Sequence, residues 1–280
     1  MICAWDAFVS LLPIWMRDFV DKQGREKLQE MRLRLNKPPV LVLNDRNVFM
    51  QRSVTSDDLT FCINVATKYS PWSIPSGAQG YYTAPGGHRI GICGVLSTDQ
   101  CTGRVPVMQK ITSICIRVCR DFPGLTNKLS DIGGSVLIIG APGCGKTTFL
   151  RDYIRQLSNR LFVSVVDERQ EIFPQVHGEY CFDTGVHTDI VYGCSKEHGI
   201  NMLLRNMGPQ VIVVDEITAK EDCAALIHAG WCGVDLIATA HASSKRDLFS
   251  RSVYRPIVDS DLFRQLVVMQ PDKTWHLERI

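Results

Sequence analysis

A glycine-rich run in the middle of the chain has the composition and spacing of a phosphate-binding loop. Its glycines would let backbone N–H groups surround phosphate oxygens, because no Cβ atom stands in the way. Lys146 would place a positive charge at the β and γ phosphates, and Thr147 would offer its hydroxyl to Mg²⁺. The run matches the pattern G-x-x-x-x-G-K-[ST] in full, which predicts a site for ATP and Mg²⁺. The residues predicted to bind the nucleotide are Gly140, Ala141, Pro142, Gly143, Cys144, Gly145, Lys146, Thr147 and Thr148.

Two carboxylates, Asp215 and Glu216, directly follow the apolar run Val211–Val214. Ligands of parallel α/β sheets bind at the carboxyl ends of the strands, where this pair would lie. Asp215 is therefore predicted to hold Mg²⁺ together with Thr147, and Glu216 to activate the attacking water as the catalytic base. A base at this position favours hydrolysis over phosphate transfer to a small molecule. An ordinary acidic strand end is the alternative interpretation.

Further polar side chains follow two other apolar runs. Glu168 would steer the water or the metal, and Arg169 would reach a phosphate bound by a neighbouring subunit. His241 or Thr239 would sense the γ-phosphate. A lone histidine is often only a hydrogen-bonded polar group, so both interpretations of His241 remain open. The candidate catalytic residues are Lys146, Glu168, Arg169, Glu216 and His241.

Apolar runs and helical patterns alternate from residue 131 onward, which predicts βαβ units and a parallel sheet covered by helices. Apolar residues recur at helical spacing from Thr147 to Ser158, directly after the glycine-rich run. A similar stripe, from Ile200 to Met207, leaves Arg205 off the buried face. The predicted strands are Val136–Ile139, Phe162–Val166, Val211–Val214 and Leu236–Thr239.

The first part of the chain has a different sequence pattern, in which short segments are separated by turns such as Ser70-Pro71-Trp72. We predict a smaller α+β domain over residues 1–122 and the ATPase domain over residues 123–280, joined near Asp121–Gly124. Met31–Leu35 alternates like a half-buried strand. The turn Gly86–Arg89 is either a tight hairpin or makes an interdomain or nucleotide-edge contact through His88 and Arg89.

The overall composition excludes several classes. Hydrophobic residues make up 45% and charged residues 21%, as in ordinary globular proteins, and the net charge of +2 argues against a strongly basic surface for nucleic acid. The 11 cysteines are scattered without a C-x-x-C pair, which favours reduced thiols in a cytosolic protein over a zinc site. The first 20 residues predict an amphipathic helix rather than a signal peptide, and no apolar run is long enough to cross a bilayer.

The motifs together resemble those of the stage III sporulation protein AA family, within the secretion-type, RecA-like P-loop ATPases. The resemblance gives Asp167–Glu171 as an Asp box and Thr239–Ala242 as a His box. It implies a RecA-like core, a hexameric ring, and a cytoplasmic position on the mother-cell side. It also implies membrane-embedded sporulation channel proteins as partners and Arg169, Arg89 or Arg205 as an arginine finger in trans. The segments that carry it are Gly140–Asp152, Val166–Ile172, Pro209–Ile217, Leu28–Pro38, Gly80–Gly94 and Ser113–Arg117.

Three functions compete at this point. The first is an ATPase that energises a membrane-bound export complex. The second is a nucleic-acid-bound RecA-like ATPase with a groove lined by Arg32, Arg34, Arg117 and Arg120. The third is a scaffold that binds ATP with little turnover, and the presence of Glu216 argues against it.

Overall fold

The computed structural model describes residues 1–68, 80–96, 108–129, 133–176 and 178–280, and the turn predicted at Ser70-Pro71-Trp72 lies outside these ranges. Within them the chain forms two compact units. The N-terminal unit contains Met1–Asp121 and the distant segment Gln175–Cys181, and the catalytic unit contains Phe122–Pro174 and Phe182–Ile280. No feature of the sequence had indicated that Gln175–Cys181 belongs with the N-terminal unit.

In the described part of the N-terminal unit, an antiparallel sheet has the strand order β3-β2-β1-β6-β5-β4. Its strands are β1 (Leu28–Arg34), β2 (Val40–Leu43), β3 (Asn47–Phe49), β4 (Tyr81–Ala84), β5 (His88–Leu96) and β6 (Met108–Arg117). Three helices pack against one face of it, and they are α1 (Trp5–Ser10), α2 (Ile14–Asp21) and α3 (Ser56–Ala66). Strand β1 alternates as predicted, with Met31 and Leu33 buried and Arg32 and Arg34 exposed.

The prediction of one amphipathic helix over the first 20 residues is wrong. Two short helices, α1 and α2, form there instead, and Pro13 stands at the N-cap of the second. Proline lacks the N–H that a helix interior requires and disfavours helical backbone at the preceding residue, so the chain turns at this point. Both helices still bury apolar side chains, including Phe8 and Met16, in the core of the unit.

The catalytic unit is built on a sheet with the strand order β11-β8-β12-β13-β7-β14-β15. Its strands are β7 (Val136–Ile139), β8 (Val163–Asp167), β11 (Thr188–Tyr192), β12 (Val211–Glu216), β13 (Asp235–Ala240), β14 (Gln265–Met269) and β15 (Trp275–Arg279). Neighbouring strands pair in parallel except for the last pair, β14 and β15. The helices are α4 (Lys146–Leu157), α5 (Lys196–Asn206), α6 (Lys220–Trp231), α7 (Lys245–Ser250) and α8 (Arg255–Asp259).

All four strands predicted by apolar runs are therefore present, as β7, β8, β12 and β13, and they are buried along most of their length. Such strands are apolar throughout because helices cover both faces of a parallel sheet. Strand β13 pairs with β7 on one side and with β12 on the other, so their carboxyl ends meet at one edge. The glycine-rich run, the acidic pair and His241 all start from that edge.

The remaining strands, β9 (Gln175–Val176) and β10 (Glu179–Tyr180), form a two-stranded antiparallel hairpin in the N-terminal unit. Across the described ranges, no helix combines the length and the apolar character that crossing a bilayer requires.

Candidate active site

The loop between β7 and α4 is held in a narrow space that only glycine fits at its first position. A Cβ atom on Gly140 would lie 2.5 Å from Sγ of Cys144 and 2.9 Å from the backbone oxygen of Met269. At the other end of the loop, Gly145 has a φ of 98° and forms the N-cap of α4. This left-handed conformation is strained for residues with a side chain, so both glycines serve the shape of the loop. Thr147 and Thr148 lie in the first turn of α4, where N–H groups of a helix favour an anion.

Lys146 turns its ammonium group back over this loop. Its Nζ donates hydrogen bonds to the backbone oxygens of Gly140, at 2.8 Å, and Ala141, at 3.1 Å. Lys146 is only 7% exposed, and this burial lowers the pKa of its ammonium group. The carboxylates of Asp215 and Glu216 act in the opposite direction, because a nearby negative charge favours the protonated form.

His241 connects Lys146 to the acidic pair. Its Nδ1 lies 2.8 Å from Nζ of Lys146, and its Nε2 lies 2.8 Å from Oε2 of Glu216. An ammonium group only donates hydrogen bonds, so Nδ1 accepts one from Lys146. The ring proton therefore sits on Nε2, which donates a hydrogen bond to the carboxylate of Glu216. The backbone N–H of His241 donates to the hydroxyl of Tyr254 at 3.1 Å. Three residues that came from separate motifs thus form one hydrogen-bonded chain.

Asp215 is the more deeply buried member of the acidic pair. It lies at an irregularity in the pairing of β12 with β13, between Val214 and Glu216, and is 6% exposed. Burial raises its pKa to about 7, and the charges of Asp167 and Glu171 act in the same direction. A buried carboxylate among other carboxylates is an environment that a bound cation stabilises.

The two candidate ligands, Asp215 and Thr147, suit Mg²⁺ only if phosphate oxygens complete its coordination. No group of three or more histidine, cysteine, aspartate or glutamate side chains that could hold a metal occurs in the described part of the chain. Mg²⁺ usually takes one or two protein ligands and completes its shell with water and substrate phosphate oxygens. Asp215 and the hydroxyl of Thr147 suit that kind of site.

Asp167, at the end of β8, organises the turn that follows it. Its carboxylate accepts hydrogen bonds from the backbone N–H groups of Glu171, Ile172 and Phe173 at 2.8 to 3.0 Å. Arg151, from α4, donates to the backbone oxygens of Glu171 and Ile172. Burial raises the pKa of Asp167, and the three N–H groups oppose that shift. This turn is therefore tied to the helix that begins at the glycine-rich loop.

Glu168 and Arg169 follow in that turn. Oε2 of Glu168 accepts a hydrogen bond of 2.6 Å from Lys196, the first residue of α5. The side chain of Arg169 is exposed. Sequence reasoning missed both Lys196 and Tyr254, because neither belongs to a recognisable motif. A lysine at the start of a helix reads as a solvated residue, whereas the residue Lys196 is only 5% exposed.

The amino-acid sequence of the chain is similar to those of known proteins. A family model described as "Sporulation stage III, protein AA" matches residues 8–276. Stage III sporulation protein AA of Bacillus subtilis (strain 168) is 35% identical over 244 residues, which make up 83% of this chain and 79% of that protein.

Two solved structures show the same fold. The Legionella pneumophila ATPase DotB has a TM-score of 0.61 and 16% identity, with 96% of this chain and 80% of that chain covered. The pilus retraction motor PilT, solved with bound ADP, has a TM-score of 0.57 and 15% identity, with 92% and 78% covered. These likenesses confirm the predicted α/β class with a RecA-like parallel sheet.

Proposed function

We propose that this chain, which belongs to the sporulation stage III, protein AA family, is an Mg²⁺-dependent ATP hydrolase. The observation that carries the proposal is the hydrogen-bonded chain from Lys146 through His241 to Glu216 at the carboxyl edge of the sheet. It joins a cation suited to phosphate oxygens to a carboxylate suited to activating water. The shared fold with DotB, an ATPase, and with PilT, a motor solved with bound ADP, supports the same activity.

Each residue has a proposed task. The loop Gly140–Gly145 surrounds the phosphates with N–H groups, and Lys146 exchanges its carbonyl partners for phosphate oxygens. His241 senses the γ-phosphate indirectly, because its Nδ1 loses the hydrogen bond that Lys146 then gives to the phosphate, while Glu216 accepts a proton from the attacking water. Asp215 and Thr147 hold Mg²⁺, which supplies charge neutralisation of the phosphates when it is bound.

Arg169 has a different proposed role. Its exposure at the end of β8 suits contact with a nucleotide on another copy of the chain, where a guanidinium group neutralises transition-state charge. This task requires a homo-oligomer, which we propose to be a hexameric ring. The family membership supports action with membrane-embedded sporulation proteins, from the cytoplasmic, mother-cell side of the membrane.

A matched pair of variants tests the hydrolysis. Glu216→Gln keeps the size of the side chain but removes the base, so phosphate release should fall at least about 100-fold while ATP binding persists. Glu221→Gln removes a carboxylate from the exposed first turn of α6 and should leave the rate unchanged. Equal rates for Glu216→Gln and wild type would contradict the proposal.

The ring is tested separately by measuring mass in solution with and without ATP and Mg²⁺. We expect the wild type to assemble and Lys146→Ala to assemble less in the presence of nucleotide. A monomer under every condition, with ATP hydrolysis intact, would remove the ring and the trans role of Arg169 while leaving the hydrolase.

Nucleic acid is the second candidate ligand, because Arg32 and Arg34 are exposed on one face of the N-terminal sheet. The structure weakens this candidate at three of the four predicted arginines. Arg120 uses its guanidinium group to bind the backbone oxygens of Arg25 and Leu28. Arg117 lies 3.5 Å from Glu30, which also pairs with Arg32. Stimulation of ATP hydrolysis by single-stranded DNA or RNA, with steep salt dependence, would revive it.

A further inference from the structure

Lys196 is buried at the same edge of the sheet as the proposed site, although no motif contains it. Its Nζ donates to Oε2 of Glu168 at 2.6 Å and lies 3.9 Å from Oδ2 of Asp222. Its side chain is 5% exposed, whereas that of Glu168 is 40% exposed. A buried ammonium group is tolerated only with charged or hydrogen-bonding partners, so Lys196 is anchored by these two carboxylates.

Asp222 extends this contact to the segment after the acidic pair. Its Oδ2 accepts hydrogen bonds from the backbone N–H groups of Thr218, at 2.9 Å, and Ala219, at 3.1 Å. These residues join the end of β12 to the start of α6, so Asp222 fixes the backbone just beyond Glu216. Lys196 therefore bridges the turn after β8 and the loop after β12.

The charge of Lys196 also falls within a group of carboxylates. Glu168 and Asp222 both contact its ammonium group, one from the turn after β8 and the other from the first turn of α6. One buried cation thus compensates part of the negative charge of the segments that follow β8 and β12.

We propose that Lys196 is a positioning residue of the nucleotide site, which holds Glu168 and Asp222 so that the carboxylate of Asp215 is kept in place for Mg²⁺. This inference rests on the proposed function. It assigns Glu168 an anchoring task as the partner of Lys196, and it leaves Glu216 as the base. Removing a residue that orients a metal ligand typically weakens metal use about 10-fold to 100-fold.

Lys196→Met tests the proposal, with Lys220→Met as its control. Both lysines are the first residues of their helices, but Lys220 is exposed. The Mg²⁺ concentration for half-maximal phosphate release should rise about tenfold in Lys196→Met and stay unchanged in Lys220→Met. ATP affinity measured in EDTA should stay within about twofold of wild type, because the loop and Lys146 are intact. Lys196→Arg keeps the charge and should recover part of the Mg²⁺ response.

If Lys196 only stabilises the fold, Lys196→Met should weaken ATP binding equally with and without Mg²⁺, and that result would overturn the proposal. An unchanged Mg²⁺ requirement in Lys196→Met would also overturn it. If Lys196→Met does not fold, the double variant Lys196→Met/Asp222→Asn removes the more buried carboxylate together with its cation and keeps an acceptor for the N–H groups of Thr218 and Ala219; it is compared with Asp222→Asn alone. The double variant should still need more Mg²⁺ than its reference. A wild type that hydrolyses no ATP would instead refute the proposed function.

Discussion

Acid should destabilise the N-terminal unit through one buried histidine, His88. The ring is 0% exposed, its Nδ1 accepts the backbone N–H of Cys119 at 3.0 Å, and its Nε2 lies 2.9 Å from the backbone oxygen of Ala4. The neutral ring protonated on Nε2 satisfies both contacts. A second proton on Nδ1 would break the bond to Cys119 and place a charge in the core, beside the ring of Phe8.

The size of the effect follows from the pKa. Burial lowers the pKa of His88 from 6.5 to about 4, and the charge of Arg120 acts in the same direction. Below pH 6.5 the unfolded chain binds a proton that the folded unit does not, so the free energy of unfolding falls as the pH falls. Each pH unit corresponds to about 1.4 kcal/mol, so the loss should reach about 3 kcal/mol near pH 4 and grow no further below it.

The assay compares the wild type with His88→Gln, which retains an N–H donor but does not titrate in this range. Urea unfolding at pH 7, 6, 5 and 4 would be followed by hydrogen exchange in peptides from β5 and β6, which report the N-terminal unit alone. The variant should start less stable at pH 7 and lose less stability on acidification, by about 3 kcal/mol. Parallel stability curves for the two proteins between pH 7 and 4 would refute the reasoning.

Three further predictions concern the catalytic unit. Asp167→Ala leaves three N–H groups, two of them buried, without their acceptor and should lower the free energy of unfolding by about 3 kcal/mol in urea titrations, whereas an unchanged midpoint would contradict it. Gly140→Ala should lower the free energy of unfolding by about 2 kcal/mol and impair ATP binding. Gly133→Ala should do neither, because a Cβ atom there meets nothing within 4 Å. Tyr254→Phe removes the acceptor for the N–H of His241, so we expect a loss of about 1 kcal/mol by thermal unfolding and slower phosphate release.

Four of the seven strands described in the catalytic sheet, β7, β8, β12 and β13, were predictable because each contains an apolar run, whereas β11, β14 and β15 were not predicted. A strand buried on both faces, such as β7, needs no partner to be recognised, and the glycines that follow it fix where the loop begins. The order of the strands was not predicted, since apolar runs carry no information about which strands become neighbours.

The chemistry of single side chains was harder to predict. The geometry joins His241 to Lys146 and Glu216, but the amino-acid pattern indicated only that His241 follows a strand. Lys196 was missed because burial of a lysine depends on carboxylates that lie 26 and 28 residues away in the chain. For His88, the glycine-rich turn allowed either a tight hairpin or an interdomain or nucleotide-edge contact, and only the packing of α1 against that turn shows that the ring is buried.

The most direct test of the central claim is calorimetric titration of the folded chain with ATP and Mg²⁺. The account predicts saturable binding at one site per chain by the wild type. Lys146→Ala should bind at least about tenfold more weakly, because it loses a charged hydrogen-bond donor to the phosphates. Absence of binding by folded wild type, or equal affinity in Lys146→Ala, would contradict the assignment of this loop as the triphosphate site.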